Sequence, residues 1–170
     1  MTQLSSPKQS VGPTLRMARV RDPYRALGLF VSYLMSKPAY AHVRFNAWAR
    51  VLAGQINRGH YVLVIEDPDR VVGALGWAFA NEAGGQAWMQ GRQNATGDPN
   101  QGDCIIFNVW AADKPEANAL LLDAARHAMR GKQQLFFHRM YPDGRARPVQ
   151  LSVNRFVERH LARRNRTPPA

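Results

Sequence analysis

The chain has 170 residues, is 45% hydrophobic and carries a formal net charge of +11. That length predicts one domain with a proper core, and the lack of any run of about 18 apolar residues argues against a membrane-spanning helix. The single cysteine, Cys104, excludes an internal disulfide and fits a reducing, cytoplasmic setting. It reads as a small buried apolar side chain rather than a nucleophile.

In chain order, residues 1–20 (MTQLSSPKQSVGPTLRMARV) are rich in Ser, Thr, Gln and Pro and lack the apolar centre of a secretory leader, so a flexible segment is expected. ALGLFVSYLMSKP, 26–38, spaces Leu27, Phe30, Val31 and Leu34 for a helix that Pro38 ends. FNAWARVLAGQI, 45–56, repeats the pattern with Phe45, Trp48, Val51, Leu52 and Ile56 as the core stripe, closing near Gly59. Then the period changes. HYVLVIE (60–66) and VVGALGWAFA (71–80) are β-rich runs joined by DPDR, which predicts a hairpin.

Residues 82–93 read as weakly helical and TGDPNQG, 96–102, as a loop. GDCIIFNVW, 102–110, predicts a buried strand with one carboxamide, Asn108, inside it; burying that group without a partner would be costly. DKPEANALLLDAARHAMRG, 113–131, is the clearest helix. Asp113 and Glu116 suit a capping box, Pro115 suits the first turn, and Leu121, Ala125, Ala128 and Met129 form a buried stripe that Gly131 closes. QQLFFHRMY, 133–141, predicts a strand and PDG, 142–144, a turn. Residues 147–161 predict a short extended piece and then a helix, and the end is a basic tail. The expected organisation is a flexible segment 1–20, a single domain 21–163 and a basic tail 164–170, with a mixed α/β sandwich around a central sheet.

The basic residues cluster late: residues 123–170 hold 11 Lys and Arg against 3 Asp and Glu. This asymmetry predicts an acidic partner, whether protein, nucleic acid or anionic surface. No phosphate-binding glycine loop, HExxH, paired CxxC or GxSxG occurs, and the five histidines lack metal-ligand spacing. A basic face without a helix-turn-helix, zinc finger or RNP signature leaves a nucleic-acid-binding module as the second choice.

The element order is compatible with the acetyltransferase-like (GNAT-like) fold, in which an acyl thioester lies between splayed central strands. CoA-using members place a glycine-rich loop after the central strand; here AADKPEANA stands there without glycine. A protein carrier of the acyl group therefore fits better than CoA.

Four landmarks carry a more specific likeness over about residues 26–130. They are ALGLFVSYLMSKP, GQINRGHYVLVIED, VVGALGWA, and GD before NVWAAD. In that order and spacing they resemble the RTX toxin-activating lysine acyltransferases, whose segments are Ser-x-Pro-x-His, a Gln-Tyr strand start, Ser-Trp-Ala, and Gly-Asp before Asp-Trp-Ile-Ala-Pro. The resemblance implies a cytoplasmic transfer of a fatty acyl group from acyl-acyl carrier protein to lysines of a protein target, with no bound cofactor and with a homodimer as a family expectation.

It also puts Tyr40 where the family has its catalytic His, and Asn108 where it has its catalytic Asp. Neither can act as a base near neutral pH. Tyr40 could donate a proton to the leaving thiolate, Asn108 could hold it or polarise the thioester carbonyl, and His42 could supply a base. The two could also hydrogen-bond each other across one cleft. Arg139, Arg145 and Arg147 around the PDG turn are the candidates for holding the acidic carrier, and Trp77 and Trp110 for lining an acyl channel, with core packing the alternative for both tryptophans. The remaining reading is a family-fold protein that binds but no longer catalyses.

Overall fold

The computed structural model describes residues 14–41, 43–92, 100–141 and 145–153. Six strands form one sheet in chain order, β1 (Leu15–Ala18), β2 (Tyr61–Glu66), β3 (Arg70–Ala80), β4 (Cys104–Ala112), β5 (Gln134–Met140) and β6 (Ala146–Ser152). Neighbours are antiparallel except β4 and β5, which run parallel because helix α4 (Pro115–Ala128) crosses between them.

α1 (Pro23–Met35) and α2 (Phe45–Arg58) cover one sheet face, together with α3 (Glu82–Met89). Asp22 caps α1 by accepting from the N–H groups of Tyr24 and Arg25, and a 3-10 turn from Pro38 to Tyr40 separates α1 from α2. The core beneath α1 and α2 joins Phe30, Leu52, Tyr61, Leu63 and Val109. The other face packs on α4 through Ala117, Leu121 and Ala125, against Val64, Leu75, Ile105 and Phe107. Gly85 of α3 lies so close to the Phe136 ring that a Cβ would stand 2.3 Å from it, which brings α3 down onto β5.

Several expectations change. Residues 15–18 are not loose: they pair with β2, Leu15 opposite Glu66 and Ala18 opposite Leu63, which extends the folded unit ahead of residue 21. β6 is a full strand rather than a short extended piece, pairing from Ala146 to Ser152 along all of β5. On α2, Phe45 is 74% exposed and Val51 is also exposed, while Gln55 is buried. Val51 falls one residue, about 100°, off the line through Leu52. The α4 cap is Lys114, without a side-chain hydrogen bond. Asp113 is drawn away from it, ion-paired to Lys37 and accepting from the Tyr33 hydroxyl at 3.1 Å. The PDG turn, the C-terminal helix, the basic tail and His42 lie outside the described residues.

Candidate active site

β4 and β5 pair from Cys104–Gln134 to Phe107–Phe137 and no further. Yet β4 continues to Ala112, and β5 continues to Met140 while still paired with β6. Past that last rung the two strands part, leaving a wedge in the middle of the sheet.

A bulge sits at the apex. On β3, Gly76 opposes Val109 and the next residue, Trp77, opposes Phe107, so Asn108 is the extra residue without a partner on β3. The bulge also resets the alternation: Cys104 and Ile106 face the α1–α3 side before it, and Val109 faces that side after it.

The Asn108 carboxamide is not left unpaired. Its Oδ1 accepts from Gln55 Nε2 at 2.6 Å, and the same Nε2 donates to the Trp77 carbonyl at 3.1 Å. Gln55 is 1% exposed. It stands in the last turn of α2, where Gly59 in the left-handed region (φ 70°) closes the helix. Gly76 makes room: a Cβ there would lie 2.8 Å from Gln55 Oε1.

Beyond the bulge the N–H of Asp113 donates to Val72 O at 2.9 Å. By strand alternation, the backbone groups of Trp110 and Ala112 then turn away from β3 and toward the wedge. Tyr40 meets one of them. Its hydroxyl oxygen accepts the Trp110 N–H at 3.0 Å and lies 3.5 Å from the Trp110 carbonyl. Edge-on contact with Trp48, ring centroids 5.3 Å apart, fixes the phenol. Burial pushes the Tyr40 pKa up from its ordinary value, more than the bond from Trp110 lowers it. The group is a proton donor at neutral pH and not a base.

Tyr40 and Asn108 thus serve the same stretch of β4, two residues apart, without bonding each other: one binds Trp110 and the other Gln55. The first residue of β5 past the last rung is His138, so it stands across the wedge from Asn108 by register. Its ring lies 4.5 Å from Trp88 of α3, and burial lowers its pKa below the usual imidazole value.

The other candidates divide. Trp110 is 36% exposed at the wedge, with Nε1 donating to Asn118 at 2.9 Å and its ring edge-on to Phe107. Trp77 is 4% exposed and packs in the α4-side core, with His60 stacked on its ring. It is a core residue, not an exposed channel wall. Arg139 and Arg147 stand directly opposite on β5 and β6, and Arg139 and Arg145 both lie over Tyr141. Cys104 is buried and its thiol is pushed up to about 11, first by desolvation, so it is no nucleophile. Among the described residues no group of His, Cys, Asp and Glu could hold a metal, and no helix is long and apolar enough to cross a membrane.

Gln55, Gly76 and His138 are not among the candidates the sequence marks. A glycine inside a strand run such as VVGALGWA marks a bulge or a close approach, and that signal was present. Gln55 sits seven residues after Trp48, on the buried line of α2, where apolar periodicity alone does not mark a polar residue.

No family model and no curated protein matches the chain. Solved structures do resemble it. The loading GNATL domain of CurA from Lyngbya majuscula has 11% identity and a TM-score of 0.55, covering 76% of this chain and 68% of that one. The GphF GNAT-like decarboxylase in complex with isobutyryl-CoA has 17% identity and a TM-score of 0.56, covering 76% and 67%. An agmatine N-acetyltransferase mutant has 11% identity and a TM-score of 0.54, covering 89% and 81%. With the mixed six-stranded sheet and its parted β4 and β5, these likenesses establish the GNAT-like acetyltransferase fold.

Proposed function

We propose that the protein is an acyltransferase that moves a fatty acyl group from a thioester, carried on acyl carrier protein, to a lysine side chain of a protein target. The observation that carries this reading is the wedge past Phe107–Phe137, with Asn108 at its apex and the backbone of Trp110 and Ala112 along one wall. An extended thioester arm with amide groups is the kind of ligand that can pair with such an edge.

In this reading the neutral amine of lysine attacks the thioester carbonyl carbon. The C–N bond forms and the C–S bond breaks; the base takes the ammonium proton, Tyr40 protonates the departing sulfur, and the phenolate regains a proton from the base through solvent. Asn108 polarises the carbonyl, and Tyr40 passes its proton to the thiolate, for its oxygen is already occupied by the Trp110 N–H. The base can be His138, which is neutral at pH 7; His42 keeps that role as an expectation from sequence. Much of the acceleration would come from holding amine and thioester together. The arginines at 139, 145 and 147 supply a positive surface for an acidic carrier.

The test is incubation with acyl-acyl carrier protein, or with acyl-CoA in a parallel arm, and a lysine-rich acceptor protein. Mass spectrometry then reads acylated lysine. Transfer from the carrier protein supports the reading, transfer from CoA alone corrects the donor, and none from either removes the activity. A second reading, a binding protein without turnover, is favoured by one observation: the Tyr40 hydroxyl already fills the Trp110 edge. It predicts carrier binding with no acylated product.

A further inference from the structure

The wedge has one buried carboxamide beside it that the reaction does not touch. The Trp77 carbonyl can only accept a hydrogen bond, so the Gln55 atom 3.1 Å from it must be the amide nitrogen. The same nitrogen is 2.6 Å from an Asn108 side-chain atom, and a donor there requires that atom to be the oxygen. The amide order of both residues is therefore forced by one backbone carbonyl and does not rest on telling nitrogen from oxygen by shape. What remains is Asn108 Nδ2, a donor without a partner among the described residues, on a half-buried side chain at the apex of the wedge.

We infer that Gln55 is a positioning residue that holds the Asn108 carboxamide with its N–H groups toward the bound acyl group. This deepens the acyltransferase reading and rests on it. The anchoring is stiff at every link. The left-handed Gly59 ends α2 one turn after Gln55, with the His60 N–H donating to Gln55 O at 2.8 Å. Gly76 admits the carboxamide, and the bulge leaves Asn108 free of β3. Gln55 Oε1 is buried without a hydrogen-bond partner, a cost accepted while the nitrogen makes both of its bonds.

A freely rotating Asn would present its oxygen to the thioester carbonyl about as often as its nitrogen. Oxygen facing oxygen repels, so the orientation decides whether the group helps or hinders. A carboxylate at position 55 cannot donate to either acceptor. Asn108 would then turn its nitrogen inward and its oxygen toward the wedge.

Two arms test the inference. The first measures acyl transfer by Gln55→Leu and Gln55→Glu. Expected is a kcat lowered about tenfold or more with little change in the donor KM, as for the loss of one preorganised donor. The ratio of Gln55→Glu to wild-type rate should rise as pH falls, because a protonated carboxyl regains a donor. Equal kcat in all three proteins, or a ratio independent of pH, overturns the role.

The second arm needs no activity and survives failure of the acyltransferase reading. It follows the side-chain amide signals of Asn108 and Gln55 by 15N NMR, assigned with Asn108→Asp and Gln55→Glu. Gln55 Nε2 protons should be protected from exchange and Asn108 Nδ2 protons should not, and Gln55→Leu should shift the Asn108 signals. Protected Asn108 protons, or Asn108 signals indifferent to Gln55→Leu, overturn the inference.

Discussion

The hydroxyl of Tyr40 takes the N–H of Trp110 at 3.0 Å, on the stretch of β4 that β5 has left. A side chain from the α1–α2 connection thereby does part of what a neighbouring strand would do. With its oxygen occupied, the phenol has its proton to give, and among the described residues its one acceptor is the Trp110 carbonyl, 3.5 Å away. Tyr40→Phe should slow acyl transfer about a hundredfold, within the range for loss of a general acid. Stability should fall by only about 1 kcal/mol, since water can take over the Trp110 N–H. Single-turnover rates and chemical denaturation measure the two. A rate loss matched by an equally large stability loss would place Tyr40 in the scaffold instead.

The pH dependence follows from His138. Burial holds its pKa below 6.5, so the ring is neutral through pH 7 and charges only as the solution becomes acid. The transfer rate should be level above 6.5 with respect to this group and fall below it, and His138→Ala should remove that inflection. Tyr40, raised by burial, adds no descending limb below pH 10. A pH–rate profile that is unchanged in His138→Ala would return the base to His42 or to none.

Stability should drop in the same direction. Both His60 and His138 have lowered pKa values in the fold, chiefly from desolvation, with Arg58, Arg19 and Lys132 adding to the effect at His60. The unfolded chain therefore binds more protons in the window beginning near 6.5, and folding stability falls as pH falls through it. Thermal unfolding at pH 7.5 and 5.5 checks this. His60→Phe should flatten the slope, and an unaltered slope would contradict the role of His60.

Two glycines set close approaches. A Cβ on Gly85 would stand 2.3 Å from the Phe136 ring, and Gly85→Ala should cost about 1–3 kcal/mol by overpacking. Gly102, at φ 126° with a Cβ position 2.1 Å from the Ala80 carbonyl, should be at least as sensitive. Denaturant midpoints measure both, and a neutral Gly102→Ala would mean that the turn into β4 can relax.

Arg139 and Arg147 directly face one another across β5 and β6, an arrangement that repels unless something acidic lies over it. Changing arginines 139, 145 and 147 together to Glu should weaken binding of acyl carrier protein tenfold or more at low salt. Unchanged binding through a salt titration would place the carrier elsewhere. Tight, salt-sensitive binding of DNA or RNA without acyl transfer would instead favour the nucleic-acid reading.

The elements with strong local signals were legible: α1, the DPDR hairpin and α4 lie close to where periodicity and turn residues put them. The strand β1 was not, because the four residues LRMA are too few to show a period and owe their conformation to pairing with β2. Asn108 could be recognised as a position of interest in GDCIIFNVW. Gly76 signals a bulge or a close approach on β3, but the place of the extra residue on β4 could not be read, since an apolar run looks the same with or without a reset of its faces. Gln55 and His138 become site residues only through contacts 53 residues away and across a strand pairing that stops short.

The most direct measurement is the single-turnover rate of lysine acylation from acyl-acyl carrier protein for the wild type and for Asn108→Ala. The account predicts transfer by the wild type and a rate at least about tenfold lower in Asn108→Ala, with donor binding retained. Equal rates in the two proteins, or no acylated lysine with the wild type, would contradict it.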